Sequence, residues 1–585
     1  MRKVICICLV WLVVVGCRKA APTPVVLPTL TPLSTLALST VTATPPTPTP
    51  ALIPTVTPSP TDTPTPTLPA TAPPVAAPDL SLTAADVIIY PAPQLYVGDQ
   101  ATFQIIPHVP PEIPPGDVAV HISLDGELLV NDHLNRPNLG GAVTGLYEWA
   151  WQVNQPGNYT LTVELDPQDR LQAGDENPTN NLVTLTVTAI PAEAADAPPQ
   201  RNWRTINTAS AVIHVVEGTA ADRDADKLAA LVDQAVSRAA TALQVSQTQP
   251  VEVFFIERII GQGGYAGAAM VITYSDRNYA GGGLYEVLVH EAIHLLDNSF
   301  EPSDSFRFLT EGLAVWGTGG HYKQEPLDQR AAALLTETDQ YIPLAQLIDN
   351  FYPAQHEVGY LEAGALVNYL TLTYGWERTR DLYSGLRRQP GLSEAQALDN
   401  ALQQHLGKSL AQIEADWHTY LRRQPRDPNA AADLLTTIRY YNIMRQYQQQ
   451  YDPTAYFLDA WLPTPGVLLD RDLTAELTRR PTAKANIALE TMLEASDMAL
   501  RQGQIARANG LLDSVERVLK NRGAFVDPLA ASYLELVRLT ADLGYQAQQI
   551  DVMDDQAVVL ARSPNSTELR RFMLSLNGQT WKFSN

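Results

Sequence analysis

Leu284-Tyr285-Glu286-Val287-Leu288-Val289-His290-Glu291-Ala292-Ile293-His294-Leu295-Leu296 carries the densest signal in the chain. It holds no proline. Leu288, Ala292, Leu295 and Leu296 give a helix the other faces it would bury. On such a helix His290 and His294 stand one turn apart on one side, so both imidazoles can reach a single ion. Glu291 projects beside them, placed to take a proton from an attacking water. With ten histidines in 585 residues, a chance His-Glu-x-x-His match is on the order of one per cent.

Two imidazoles do not complete a catalytic zinc site, which takes three protein ligands and keeps one position open. Cys6, Cys8 and Cys17, the three cysteines, all stand at the extreme N-terminus. The third ligand is therefore a carboxylate or another histidine. The pattern H-E-x-x-H-x-x-G-x-x-H is absent, because positions 297 and 300 are Asp and Phe.

Downstream stands Phe308-Leu309-Thr310-Glu311-Gly312-Leu313-Ala314-Val315-Trp316. It resembles the second metal helix of the gluzincin peptidases, where a glutamate is the third ligand and an alanine follows three residues on. Glu311 and Ala314 match. The resemblance covers about residues 205–425. It implies a thermolysin-like α+β domain and a zinc peptidase with His290, His294 and Glu311 as ligands and Glu291 as general base. Where thermolysin-like enzymes carry an aspartate that orients a histidine, this chain has Val315. Asp297 either takes that role or ends the first helix exposed.

Gly359-Tyr360-Leu361-Glu362-Ala363-Gly364-Ala365-Leu366-Val367-Asn368-Tyr369-Leu370 resembles the aminopeptidase segment whose tyrosine stabilises the oxyanion. That implies Tyr360 as the donor, against a core tyrosine as the plain alternative. His321 is a second candidate donor, or simply a loop histidine. Gly267-Ala268-Ala269-Met270-Val271 is the nearest passage to the aminopeptidase Gly-x-Met-Glu-Asn strand. Valine replaces the glutamate that holds a free amine, which favours an endopeptidase acting on polypeptides. The strand keeps an edge with which an extended substrate can pair.

Residues 1–16 read as an export signal, with Arg2 and Lys3 before an apolar run too short to span a bilayer comfortably. Val14-Val15-Gly16-Cys17 resembles a bacterial lipobox. The resemblance implies a lipid on Cys17 and an extracytoplasmic protein anchored to the cell membrane; an ordinary signal peptide is the alternative. Residues 17–78 are Pro- and Thr-rich, a semi-rigid spacer with a reach on the order of 150 Å.

Residues 79–190 alternate apolar and polar side chains between turns such as Asp125-Gly126 and Pro156-Gly157-Asn158, which argues an antiparallel β-sandwich. Pro78-Asp79-Leu80, Val97-Gly98-Asp99, Leu124-Asp125-Gly126 and Asp175-Glu176-Asn177 make the segment similar to the immunoglobulin-like CARDB module of bacterial surface proteins. That suggests contact with a cell wall or surface layer. Its acidic loop (Asp166, Asp169, Asp175, Glu176) either holds calcium or is solvated.

Residues 198–425 read as α+β, and 427–585 as helical throughout. There, 487–500 and 505–519 flank Gln502-Gly503-Gln504 and resemble a tetratricopeptide unit. The net charge of -23 repels phosphate backbones and disfavours nucleic acid. One alternative to an enzyme remains: a surface binding or adhesion lipoprotein whose metal domain is structural or inactive. A purely structural site has no use for a general base between its ligands, so Glu291 separates the two.

Overall fold

The computed structural model describes residues 78–584 apart from 91–93, 135, 138–142, 192, 195–200, 301–305, 390, 453–454, 456–467, 470–477, 565 and 579. The export signal, Cys17 and nearly all of the spacer lie outside the described residues. No described helix is long and apolar enough to cross a membrane.

The first folded segment comprises β1 (Val87–Tyr90), β2 (Leu95–Tyr96), β3 (Gln100–Ile105), β4 (Ala119–Leu124), β5 (Glu127–His133), β6 (Arg136–Pro137), β7 (Val143–Gln152), β8 (Gly157–Leu165) and β9 (Leu182–Ile190). They form two sheets, ordered β1-β3-β7-β6 and β2-β9-β8-β4-β5. Alternation puts Val120 and Ile122 of β4 and Leu161, Val163 and Leu165 of β8 inside, packed with Phe103 and Ile105 of β3. In the acidic loop the carboxylates close the loop itself. Asp166 accepts from the N–H groups of Arg170 (3.0 Å) and Leu171 (3.2 Å), and Asp175 accepts from Asn181 Nδ2 (2.7 Å).

The central segment has a five-stranded sheet made of β10 (Trp203–Asn207), β11 (Ala211–Val216), β12 (Val251–Ile256), β13 (Gly264–Ala266) and β14 (Met270–Thr273), in the order β10-β11-β12-β14-β13. After the short α1 (Ala220–Arg223), α2 (Ala225–Leu243) buries Leu228, Val232, Ala235 and Val236 in the same core as the sheet residues Ile213, Val215, Val253 and Phe255. A run of helices completes that core: α3 (Leu284–Asp297), α4 (Arg307–Thr318), α5 (Leu327–Glu337), α6 (Leu344–Asp349), α7 (His356–Tyr374), α8 (Trp376–Gly385), α9 (Glu394–Leu406) and α10 (Leu410–Leu421). The passage matched to an aminopeptidase strand lands at β14, one strand in from the edge, with Met270 to Thr273 all buried. The free edge belongs to β13 instead, so Val271 does not report on amine binding.

The C-terminal segment corrects the all-helical expectation. It opens with α11 (Ala430–Tyr451), and α12 (Lys484–Arg501) and α13 (Ile505–Lys520) form a helix pair joined at Gln502-Gly503-Gln504. After α14 (Pro528–Asp542), however, the chain makes an antiparallel sheet of β15 (Gln546–Met553), β16 (Gln556–Arg562), β17 (Arg570–Asn577) and β18 (Thr580–Phe583). Its period of two is faint in sequence because the inward residues of β16 are Ala557, Val559 and Ala561, two of them only methyl groups. Buried arginines tie the segments together. Arg277, fully buried, pairs with Glu490 of α12, and Arg258 meets Asp452 at 3.1 Å. Arg479 grips Asp99 of the sandwich through both terminal nitrogens (2.7 and 2.8 Å).

Candidate metal centre

Two helices bring the motif residues together. Helix α3 starts after Gly283, buries Leu288, Val289, Ala292 and Ile293, and presents His290 and His294 along one side. Helix α4 is almost entirely buried and crosses close to both α3 and α7. Close approach of α4 and α7 requires glycine at two points. A Cβ on Gly312 would stand 2.7 Å from the Ala363 carbonyl oxygen, and one on Gly364 would stand 2.4 Å from Val315 Cγ1.

Glu311 Oε2 lies 3.1 Å from His290 Nε2 and 3.3 Å from His294 Nε2. Ligand atoms of the three residues all fall within 4.8 Å of one another, the one such grouping among the described residues. The acidic loop of the sandwich offers none. The other Glu311 oxygen accepts a hydrogen bond from Tyr352 Oη at 3.0 Å. Two imidazoles and a carboxylate with its rear oxygen held are a donor set that suits Zn2+. The residues fit the ion.

Electrostatics separates their roles. Burial pushes His290 down to about 4, Glu311 opposing, so its ring is neutral and free to ligate. Burial also works against charge on His294, but Glu311 overrides it and holds that imidazole up at about 9, so taking up a cation requires this ring to release its proton. For Glu311 burial is likewise overridden, here by His294 and His290, and its carboxyl sits well below the usual range. Glu291 is 8% exposed and makes no hydrogen bond to a described residue. Burial, with His294 opposing and Glu311 adding, pushes it up to about 7, where a carboxylate can both accept and release a proton near neutrality.

The ligands line a cavity of about 370 Å³. Strand β13 and Gly267 form one wall, and Gly264 brings that strand against α3, since a Cβ there would sit 3.2 Å from Val287 Cγ1. Tyr360 lines the cavity with its ring 6.1 Å from that of His290, and no described residue hydrogen-bonds its hydroxyl. His321 packs beside it at 4.5 Å. It is no mere loop histidine, because Nδ1 sits 2.7 Å from Oε2 of the fully buried Glu357. Asp297 is only 4% exposed, so it is not a solvated helix end, and it accepts from Tyr383 Oη at 2.6 Å. Burial raises its carboxyl, Tyr383 opposing, and its charge favours the protonated form of His294.

Tyr352, Glu357, Tyr383 and Tyr441 were not found from the sequence. Glu357 had a signal, as one of two acidic residues, with Glu362, on a largely apolar helix. The tyrosines had none, since each is separated from its partner by dozens of residues.

No family model matches the chain, and neither does any curated protein. Among solved structures it is similar to the CARDB domain of a Pyrococcus furiosus protein in complex with di-metal ions, at 18% identity over 20% of this chain and 97% of that one, TM-score 0.16. It is similar to native yeast LTA4 hydrolase at 12% identity over 80% and 87%, TM-score 0.31. An aminopeptidase N family protein from Idiomarina loihiensis aligns at 11% identity over 58% and 76%, TM-score 0.25. These TM-scores are too low to bear on function, which rests on the site itself.

Proposed function

We propose that the chain is a zinc-dependent peptidase of the gluzincin kind, cleaving extracellular polypeptides at internal bonds. The observation that carries this is the meeting of His290, His294 and Glu311 within 4.8 Å, with the buried Glu291 next to the first ligand. A zinc ion held by these three would supply Lewis acidity and lower the pKa of water. The remaining work belongs to the chain. Glu291, pushed up to about 7, accepts the proton of the attacking water and returns it to the leaving amine. Tyr360 Oη, with His321 beside it, donates to the oxygen on which negative charge develops.

The exposed edge of β13 offers backbone groups to an extended substrate. It carries no carboxylate to pair with a free N-terminus, which supports internal cleavage. Glu286, one turn before His290 on the cavity wall, is the group a free amine would reach if terminal residues were removed instead.

A peptide-library digest with purified protein, run with and without chelator and beside zinc analysis, tests the reading. We expect about one zinc per chain, chelator-sensitive cleavage, and equal cutting of N-acetylated and free peptides. Loss of cutting on acetylation would turn the assignment to an aminopeptidase; zinc-free protein that cleaves equally well would end it. The resemblance of Val14-Val15-Gly16-Cys17 to a lipobox supports action outside the cell from a lipid anchor at Cys17.

A further inference from the structure

The residue that fixes His321 is itself held from the C-terminal segment. Glu357 shares its carboxylate between His321 Nδ1 (2.7 Å) and Arg330 Nη2 (3.2 Å). Arg330, on α5, is only 4% exposed. A buried guanidinium is costly unless its donors are satisfied. Nη2 also donates to Thr437 Oγ1 at 2.9 Å, and Nη1 donates to Asp433. Both acceptors stand on α11. Asp433 takes Lys323 Nζ at 2.7 Å as well. Arg330 Nε lies 2.9 Å from Glu325 but off the line of a hydrogen bond.

Charge decides which contacts matter. Burial, with Arg330 opposing, pushes Glu325 up to about 8, so at neutral pH it is mostly protonated. Arg330 and Lys323 are then balanced by Glu357 and Asp433 alone. If Asp433 loses its charge, Glu357 is left as the charged partner of Arg330, and the guanidinium is no longer fixed by a charge on α11.

We propose that Asp433 and Thr437 are positioning residues for His321: by holding Arg330 they clamp Glu357, which sets the imidazole against the cavity. The proposal rests on the peptidase reading for its effect on rate, but not for its effect on the ring. Helix α11 therefore takes part in positioning His321. It also contributes Tyr441, whose ring packs 5.7 Å from that of His321.

The test uses full-length protein, zinc-loaded, with histidines labelled with 15N. The wild type should show a strongly downfield proton on His321 Nδ1, lost in Glu357→Gln. Asp433→Asn should shift or broaden it and lower kcat about tenfold with KM nearly unchanged; Asp433→Glu should restore both. Thr437→Val removes one hydrogen bond with little change of shape and decides the matter if Asp433→Asn fails to fold; it should shift the signal by a smaller amount. Folded Asp433→Asn or Thr437→Val with the wild-type resonance would overturn the proposal, as would a resonance that persists in Glu357→Gln. A shifted resonance in a protein that cleaves no peptide would keep the positioning and sink the peptidase reading.

Discussion

Replacing Glu291 by glutamine should separate activity from stability in opposite directions. The carboxyl is buried and pushed from 4.5 up to about 7. Below pH 4.5 it is protonated in folded and unfolded chains alike, and the amide gains nothing. Between 4.5 and about 7 the unfolded chain ionises first, so wild-type stability falls as pH rises, and the deficit is complete above 7. At about 1.4 kcal/mol per pH unit, the glutamine variant should be more stable by about 1 kcal/mol at pH 5 and about 3 kcal/mol at pH 8. The same substitution removes the general base, a loss of about 10²- to 10⁴-fold in kcat. The assay is thermal denaturation of metal-free wild type and variant at both pH values, with hydrolysis and zinc content measured on the loaded proteins. Equal thermal midpoints at pH 8 would refute the burial argument, and retained hydrolysis would refute the assigned base.

Three further outcomes are expected. Tyr352→Phe frees the rear oxygen of Glu311 and should weaken zinc binding about 10- to 100-fold in a chelator competition titration, with little change in thermal midpoint once zinc saturates. Gly364→Ala drives a methyl to 2.4 Å from Val315 and should destabilise by about 1–3 kcal/mol, lowering zinc affinity as α4 and α7 part; calorimetry and the same titration check it. Cys17→Ala should move the protein from the membrane fraction to the medium, and a variant still sedimenting with membranes would count against the lipobox.

What could be read in the sequence was what lies within one or two helical turns. His290, Glu291 and His294 share a single helix, so their spacing fixes their geometry, and the structure sets Glu311 beside them. The alternating stretches of the sandwich were legible for the same reason. The free edge of the central sheet was misplaced by one strand, because four buried residues in β14, three of them apolar, say nothing about which side lacks a neighbour. The carboxyl-terminal sheet was missed where alanines blunt the alternation. Of the residues that hold His321, Glu357 stood out as a charge on a largely apolar helix, but its link to the ring was out of reach. Glu357, Arg330 and Asp433 come from three helices, and nothing in local spacing links them.

The brevity of the cavity's outer strand has a consequence for selectivity. Three residues, Gly264–Ala266, give a visiting chain only a few backbone hydrogen bonds, each worth roughly 0.5–1.5 kcal/mol net. A ladder that short cannot tell one sequence from another, nor grip a product once it is cut. Discrimination would then fall to the side chains flanking the cut bond and the rings they meet, favouring quick turnover of varied chains over tight capture of one.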